Sequence, residues 1–450
     1  MNNMGKPTGF IDYPRIETPS IPADQRVGNS EWFHTDLDCN ARREQAGRCM
    51  NCGVPFCQAG ITMGRKLIGC PLRNLIPEWN DQLWNENLPM ALERLLRTNC
   101  FPEFTGYVCP APCEAACSAG KVGAPVTIND NERYIIEEAF AEGLMRPNPP
   151  KGRSGLTIAV VGSGPAGLTV ANLLNQRGHE VVIYERNRTP GGLLVYGIPA
   201  MKLPKSVVAR RVKLMEAEGI TFKCGVNIGV DVTIDQLSEN FDAVVLAIGS
   251  QKPREVPFEG KASGVCFALD YLSAVAADHL GEADLPAQFN ASGKVIAVVG
   301  AGDSANDCIA TAIRQGAKDV IQLIRRPATD YGPMTDYAHE EANALFDHDI
   351  RRFQTTVASV QADESGRLVQ LTLDTPEGNI SVAADMLVIA SGFSGPETYA
   401  TEQVDLAACE NVFRAGDMSI GASLVVRAMA DARKVARDVD ARLMGYSGII

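Results

Sequence analysis

From residue 156 onward, apolar positions come in short runs closed by glycine, and these runs alternate with helical periods. The run at 156–161 leads into Gly162-Ser163-Gly164-Pro165-Ala166-Gly167, a helical pattern follows through Leu174, and a second apolar strand at 180–184 is closed by Glu185. Strand, glycine turn, helix, strand is the βαβ unit of nucleotide-binding folds. A further strand is expected at 241–248, running into Gly249-Ser250. The same grammar restarts at 295–299 with Gly300-Ala301-Gly302-Asp303-Ser304-Ala305-Asn306, a helix to about Arg314, and a strand at 320–324 that ends in Arg325-Arg326. Then come a buried strand at 386–390 and a run at 412–415 that enters Gly416-Asp417 and a final helix from about Ser423 to Leu443. A single glycine motif arises by accident more easily than two copies of the whole unit, so the near-repetition predicts two Rossmann-like α/β nucleotide-binding folds.

Residues 1 to about 150 read differently, with short helical patterns at 89–96 and about 132–142, where Tyr134, Ile135, Ala139 and Phe140 recur near a 3.6 period. The stretch 145–155, with Pro147, Pro149 and Pro150, reads as a linker. This first region is rich in cysteine. Nine of the 13 cysteines (39, 49, 52, 57, 70, 100, 109, 113 and 117) fall within 79 residues. The odd total, in a chain with no basic and apolar export signal at its start, favours metal ligation over a disulfide framework. Cys49-x2-Cys52-x4-Cys57, with Gly53 and Pro55 keeping the backbone in a turn, is followed by Cys70-Pro71 and by Cys109-Pro110-Ala111-Pro112-Cys113-x3-Cys117. Compact cysteine runs followed by proline are typical of [4Fe–4S] ligation. Zinc is the competing metal, but Cys49-x2-Cys52 has no matching Cys-x2-Cys pair, and a redox neighbour calls for an electron conductor. Two such clusters take eight ligands; the compact groups and Cys70 offer seven, leaving Cys39, Cys100 or a non-cysteine to complete the set.

Charge removes other classes. With 54 acidic against 42 basic side chains and a net charge of −12, nothing supplies the basic surface that nucleic acid needs. Hydrophobic content of 45% is that of an ordinary globular chain, and no apolar run approaches membrane-spanning length, so a cytoplasmic protein without a membrane partner is expected.

In the first nucleotide unit Gly162 permits the tight turn, Gly164 lets a pyrophosphate approach the backbone, and Gly167 allows close helix–strand packing. Glu185, 23 residues after Gly162, stands where a carboxylate accepts from ribose hydroxyls. The fingerprint alone does not choose between FAD and NAD; Gly191-Gly192-Leu193-Leu194 and Ala415-Gly416-Asp417 favour FAD, with Asp417 placed to accept from the ribityl chain or to cap its helix. Gly249, at the end of its strand, joins the candidate cofactor-binding set. The second unit, Gly300-x-Gly302-x2-Ala305, is followed by a strand ending in Arg325-Arg326 with no acidic residue at the ribose-reading position. Guanidinium groups bind a 2′-phosphate that a carboxylate would repel, so this site reads as one for NADPH. Lys202 and Asp303 are candidate neighbours of flavin or nicotinamide. No catalytic acid or base is nominated, and the five histidines show no metal-ligand spacing.

The stretches Arg48-Cys49-Met50-Asn51-Cys52-Gly53-Val54-Pro55-Phe56-Cys57, Gly69-Cys70-Pro71-Leu72-Arg73-Asn74-Leu75 and Tyr107-Val108-Cys109-Pro110-Ala111-Pro112-Cys113-Glu114-Ala115-Ala116-Cys117, together with Gly191-Gly192-Leu193-Leu194-Val195-Tyr196-Gly197-Ile198-Pro199, carry a family likeness. Over almost its whole length the chain resembles the small (beta) subunits of NADPH-dependent glutamate synthase, which are related to the N-terminal part of dihydropyrimidine dehydrogenase and similar in fold to adrenodoxin reductase. The resemblance implies an α+β multidomain fold: a helical iron–sulfur domain over 1–150, an FAD domain over 151–252 and 396–450, and an inserted NADPH domain over 253–395. It implies one [4Fe–4S] cluster on Cys49, Cys52, Cys57 and Cys117, and a second on Cys70, Cys109 and Cys113, with Glu132 at the position where the pyrimidine enzyme has a glutamine. It also implies the activity of an NADPH-dependent flavin and iron–sulfur oxidoreductase: electrons pass from NADPH through FAD and the clusters to a large (alpha) subunit that carries FMN and glutaminase activity and makes glutamate from glutamine and 2-oxoglutarate. The alternative is the same module feeding another oxidoreductase, such as a pyrimidine-reducing or ferredoxin-linked complex. The segment 327–333, Arg427, and Ala200-Met201 depart from the family's usual pattern. Replacing Arg325 and Arg326 together by alanine is expected to weaken NADPH far more than NADH; equal losses in the two Michaelis constants would defeat the 2′-phosphate assignment.

Overall fold

The computed structural model describes residues 8–64, 66–330, 337–397 and 409–450, so residues 331–333 of the atypical segment lie outside the described residues. An N-terminal helical region precedes two five-stranded sheets, each wholly parallel. The first sheet runs in the order Val412–Arg414, Ala243–Leu246, Thr157–Val161, Glu180–Glu185, Thr221–Cys224. The second runs Arg351–Phe353, Asp319–Ile324, Val295–Val299, Met386–Ile389, Val265–Phe267. Strands covered on both faces need continuous apolar runs, and Ala243–Leu246 and Met386–Ile389 are buried at every position.

The two sheets are nested. After Ala243–Leu246 the chain leaves the first sheet through Lys252–Pro253, builds the second, and returns through Phe393–Gly395, which pairs antiparallel with Lys252–Pro253. It then completes the first sheet with Val412–Arg414. A three-stranded antiparallel meander, Thr356–Ala362, Leu368–Thr375 and Gly378–Ala383, extends the second unit. Its Leu371 and Leu373 pack with Leu323 and Leu387 of the parallel sheet. Polar Gln370, Thr372 and Asp374 interleave with those leucines at a two-residue period, and Gly366 (φ +82°) and Gly378 (φ +110°) stand at the two turns.

In the N-terminal region proline starts helices. Pro77, Pro89 and Pro102 occupy the first turns of Ile76–Trp84, Leu88–Leu96 and Pro102–Val108, where a missing N–H costs nothing. The helix expected from about residue 132 begins earlier, as Ile128–Ala141. Asn129 and Asn131 look like turn residues in the sequence, but their side chains are satisfied across the fold: Asn129 Nδ2 donates to the Thr105 carbonyl at 2.9 Å, and Asn131 Nδ2 to Asn80 Oδ1 at 2.8 Å. Tertiary partners thus override local preference. The last helix, Val425–Met444, packs on Pro165–Gln176, and its Arg433 donates to the carbonyls of Thr98 and Leu72, both at 2.7 Å, tying the C-terminus to the cysteine region. Among the described residues no helix is long and apolar enough to cross a membrane.

Trp79 is completely buried at the centre of the helical region. Trp79→Ala is expected to cost about 3–5 kcal/mol of stability, read as a lower urea midpoint for loss of helical circular dichroism.

Candidate cofactor sites

The first glycine turn has the backbone its spacing predicts. Gly162 has φ +98°, and a Cβ there would lie 2.5 Å from the Ala247 carbonyl oxygen; at Gly167 a Cβ would lie 1.9 Å from the Gly162 oxygen. Around Gly164 a Cβ would meet nothing within 4 Å, so the space opens outward at the start of the helix Pro165–Gln176. The second turn repeats this: Gly300, φ +136°, faces the Ala390 oxygen at 2.5 Å, Gly302 faces open space, and Ala305 is fully buried in place of a third glycine. Open space before a helix N-terminus is what an approaching pyrophosphate requires.

One cavity gathers Gly162, Gly164, Glu185, Gly192, Gly249 and Asp417. Gly167 lies behind it, packing the helix on its strand. Glu185 is buried with both oxygens engaged: Oε2 accepts from the Ser163 N–H at 3.0 Å and from the Ser163 hydroxyl at 2.5 Å, and Oε1 accepts from the Asn187 N–H at 2.9 Å. Ser163 Oγ in turn accepts from the Gly191 N–H at 2.8 Å. This serine, fully buried, ties the glycine turn, the strand-end carboxylate and the Gly191-Gly192 loop together, and sequence reasoning passed over it. A hydroxyl inside a glycine turn is the one signal that points to it. Asp417 accepts from the Ser423 N–H at 3.1 Å and the Ser423 hydroxyl at 2.5 Å, fixing the entry to the last helix while lining the cavity.

A second cleft runs from Gly192 and Leu193 to Phe267, Ser304 and Ala390 on the inserted unit, so the two spaces share the Gly192–Leu193 corner. Gly300, Gly302, Asp303, Arg325 and Arg326 do not line it. They follow the neighbouring parallel strands Val295–Val299 and Asp319–Ile324, with both arginines exposed at the strand end. Lys202 is held away from either space by an ion pair with Asp307 at 2.8 Å.

In the N-terminal region Cys49, Cys52, Cys57 and Cys117 line one small cavity. Cys70, Cys109, Cys113 and Glu132 form a second neighbourhood, close enough that the carboxylate and the other thiols oppose ionisation of Cys109 and Cys113. Burial is the largest influence throughout, pushing Cys49 up to about 12 and Cys70 to about 11 and raising Cys57, Cys109 and Cys113. Such thiols become thiolates only opposite added positive charge. Glu132, also buried and pushed up to about 7, accepts from Asn99 Nδ2 at 3.0 Å, from Asn74 Nδ2 at 3.4 Å and from the Thr105 hydroxyl. The other candidates for an eighth ligand stand elsewhere: Cys39 is exposed against the Tyr134 hydroxyl, and Cys100 faces Asn172, Arg211 and Arg433. Two non-glycine residues in the left-handed region, Asn51 (φ 47°) and Ala111 (φ 51°), lie inside the cysteine runs. For Ala111 this costs about 1–2 kcal/mol, strain of the kind found where backbone is bent for a ligand. Among the described residues no three His, Cys, Asp or Glu side chains gather closely enough for a single metal ion. A lone zinc draws all its sulfurs around one ion, whereas a cluster spreads its thiolates over several iron atoms, and thiols lining a cavity fit the second arrangement better.

Comparison with known proteins is consistent along the chain. Residues 26–144 match the family "Dihydropyrimidine dehydrogenase domain II, 4Fe-4S cluster", and residues 156–432 match "Pyridine nucleotide-disulphide oxidoreductase". The glutamate synthase [NADPH] small chain of Bacillus subtilis is 41% identical over 99% of both chains. The chain belongs to the glutamate synthase small-chain family. Membership implies FAD, NADPH and iron–sulfur cofactors. The glutamate synthase [NADH] of Schizosaccharomyces pombe is 38% identical over 98% of this chain, which spans 23% of that longer protein. FprA of Mycobacterium tuberculosis, solved in complex with NADPH, shares the fold with a TM-score of 0.52 at 19% identity, over 64% of this chain and 85% of that one.

Ser163→Ala strips a hydrogen-bond donor from buried Glu185 and an acceptor from the Gly191 N–H. Leaving such groups unmet costs about 1–3 kcal/mol. The expected result is a lower thermal midpoint and less flavin retained per chain after gel filtration.

Proposed function

We propose that this chain is the electron-input subunit of a glutamate synthase, taking electrons from NADPH and delivering them to a large subunit that carries FMN and glutaminase activity and makes glutamate from glutamine and 2-oxoglutarate. The observation that carries the reading is the corner at Gly192–Leu193, where the cavity of the first glycine turn meets the cleft of the inserted unit. FAD held in the first and NADPH reaching into the second would come together there.

Bound FAD would supply the chemistry that links a two-electron hydride donor to one-electron iron–sulfur acceptors. The chain's own residues bind and orient. Gly164 and Gly302 leave the helix N-termini open to pyrophosphates, Glu185 and Asp417 accept from sugar and ribityl hydroxyls, and Arg325 and Arg326 pair with the 2′-phosphate. Cys49, Cys52, Cys57 and Cys117 hold one [4Fe–4S] cluster; Cys70, Cys109, Cys113 and Glu132 hold the other. The domains divide as 1–150, 151–252 with 396–450, and 253–395, which the antiparallel pairing of Lys252–Pro253 with Phe393–Gly395 supports. The partner assignment draws support from the Schizosaccharomyces pombe relative, in which this module is one part of a much longer polypeptide. A cytoplasmic location accords with that partnership.

The test is NADPH oxidation by the chain with its large subunit, dependent on glutamine and 2-oxoglutarate. No such turnover, together with NADPH reduction of an artificial acceptor, would transfer the module to another oxidoreductase. In anaerobically purified protein two clusters contribute about eight iron and eight sulfide per chain, and Cys57→Ala is expected to lower both to about half while leaving flavin content unchanged.

A further inference from the structure

The coenzyme-side unit is an insertion, joined to the flavin-side unit by the two adjacent crossings Lys252–Pro253 and Phe393–Gly395. Paired crossings of this kind form a hinge when nothing else fixes the two bodies. Side chains bridge the units directly: the Tyr196 hydroxyl donates to Glu282 at 2.8 Å, and Lys202 pairs with Asp307 at 2.8 Å, with the Lys202 side chain 22% exposed.

A third body reaches the same place more deeply. Residues 19–35 form a loop closed by the Ile21 N–H donating to the Phe33 carbonyl at 2.7 Å and the Thr35 N–H to the Pro19 carbonyl at 2.9 Å. Its base belongs to the cysteine region: the Thr18 N–H donates to Asp130, and Trp32 packs edge-on against Tyr107 with ring centres 4.6 Å apart. Its tip belongs to the coenzyme unit. Phe33, 5% exposed, lies in that unit's core, 5.5 Å from the Tyr337 ring and roughly parallel to it. Arg26, whose side chain is 2% exposed, pairs with fully buried Glu341 at 2.7 Å and with Glu340 at 3.0 Å, and donates to the Tyr337 carbonyl at 3.1 Å.

These contacts converge on the helix that follows the second glycine turn, Asp303–Arg314. In its second turn, Asp307 accepts from the Tyr337 hydroxyl at 2.6 Å as well as from Lys202 of the flavin side. At its last residue, Arg314 pairs with Glu341 and donates to the Asn29 carbonyl of the loop at 2.9 Å. The helix whose N-terminus opens toward a pyrophosphate is therefore gripped in its middle by the flavin unit and at its end by the cysteine region.

Resting on the reading of NADPH as electron donor, we propose that the loop 19–35 is a clamp, with Arg26 and Phe33 as positioning residues that hold the coenzyme unit turned toward the flavin cavity so that hydride is delivered at the shared corner. Neither residue lines the flavin-side cavity or the cleft of the inserted unit. The clamp sets orientation, and orientation governs the transfer step steeply because donor and acceptor atoms must be held aligned and close. Removing Arg26 leaves Glu341 paired with Arg314, so no buried charge is stranded and the coenzyme unit keeps its fold.

The experiment compares Arg26→Ala, Phe33→Ala and the double variant with the parent holoprotein. NADP+ affinity is measured by calorimetry, loss of flavin absorbance after rapid mixing with saturating NADPH by stopped flow, and hydrogen exchange at Lys252, Arg254 and 393–395 by mass spectrometry. The clamp predicts NADP+ affinity within twofold of the parent, flavin reduction at least tenfold slower in the double variant, faster exchange at the crossings, and partial recovery of the rate in Arg26→Lys. Flavin reduction within twofold of the parent, or NADP+ affinity lost in step with the rate, would overturn it. If the parent itself is not reduced by NADPH, the functional reading fails, and exchange at the crossings still decides the clamp: unchanged exchange in the double variant refutes it and faster exchange upholds it.

Discussion

Burying a thiolate is costly unless positive charge meets it, and the N-terminal region buries a group of thiols for which desolvation outweighs every neighbouring charge. Much of that region is arranged around this constraint. The cysteine runs bend through left-handed Asn51 and Ala111, and prolines start the short helices on either side. Buried Glu132 is met by the neutral donors Asn74, Asn99 and Thr105. A polypeptide that accepts these costs is built for a charged inorganic guest, and the match of residues 26–144 to an iron–sulfur family agrees.

The nested sheets solve a different problem. Each glycine turn stands at the C-terminal end of a parallel strand, and inserting one unit into the other brings the cavity of the first turn and the cleft of the inserted unit to a shared corner at Gly192–Leu193. The two glycine turns keep the same division of labour: one glycine against a carbonyl, one open outward, and a small residue packed beneath. What differs is the strand end that follows. Buried Glu185 closes one strand, whereas exposed Arg325 and Arg326 close the other, a contrast of charge suited to two different nucleotides.

The three bodies are not independent. Arg433 on the last helix reaches carbonyls of the cysteine region, Lys202 of the flavin side reaches Asp307, and Arg26 and Phe33 cross from the cysteine region to the coenzyme side. Electron transfer between fixed centres depends on such rigidity, since distance and orientation are set by whatever holds the domains together.

The sequence alone was enough for seven of the ten parallel strands and for the glycine turns, with ends correct to within one or two residues, because continuous apolar runs and the steric needs of glycine are local properties; the short edge strands Thr221–Cys224, Val265–Phe267 and Arg351–Phe353, which lack such runs, were not legible. It was also enough to bring out the cysteine runs as candidate ligand groups. Spacing alone does not say that Cys117 parts from its sequence neighbours Cys109 and Cys113; the family resemblance implies it, and the tertiary structure has Cys117 lining a cavity with Cys49, Cys52 and Cys57. It alone revealed Ser163 as the tie between turn and carboxylate, the early start of the helix at Ile128, the pairing of the antiparallel meander, and the reach of residues 19–35 into another unit. Each of these depends on pairing between residues brought together by folding, and a polar side chain gives no sign in a linear chain of which distant partner will satisfy it.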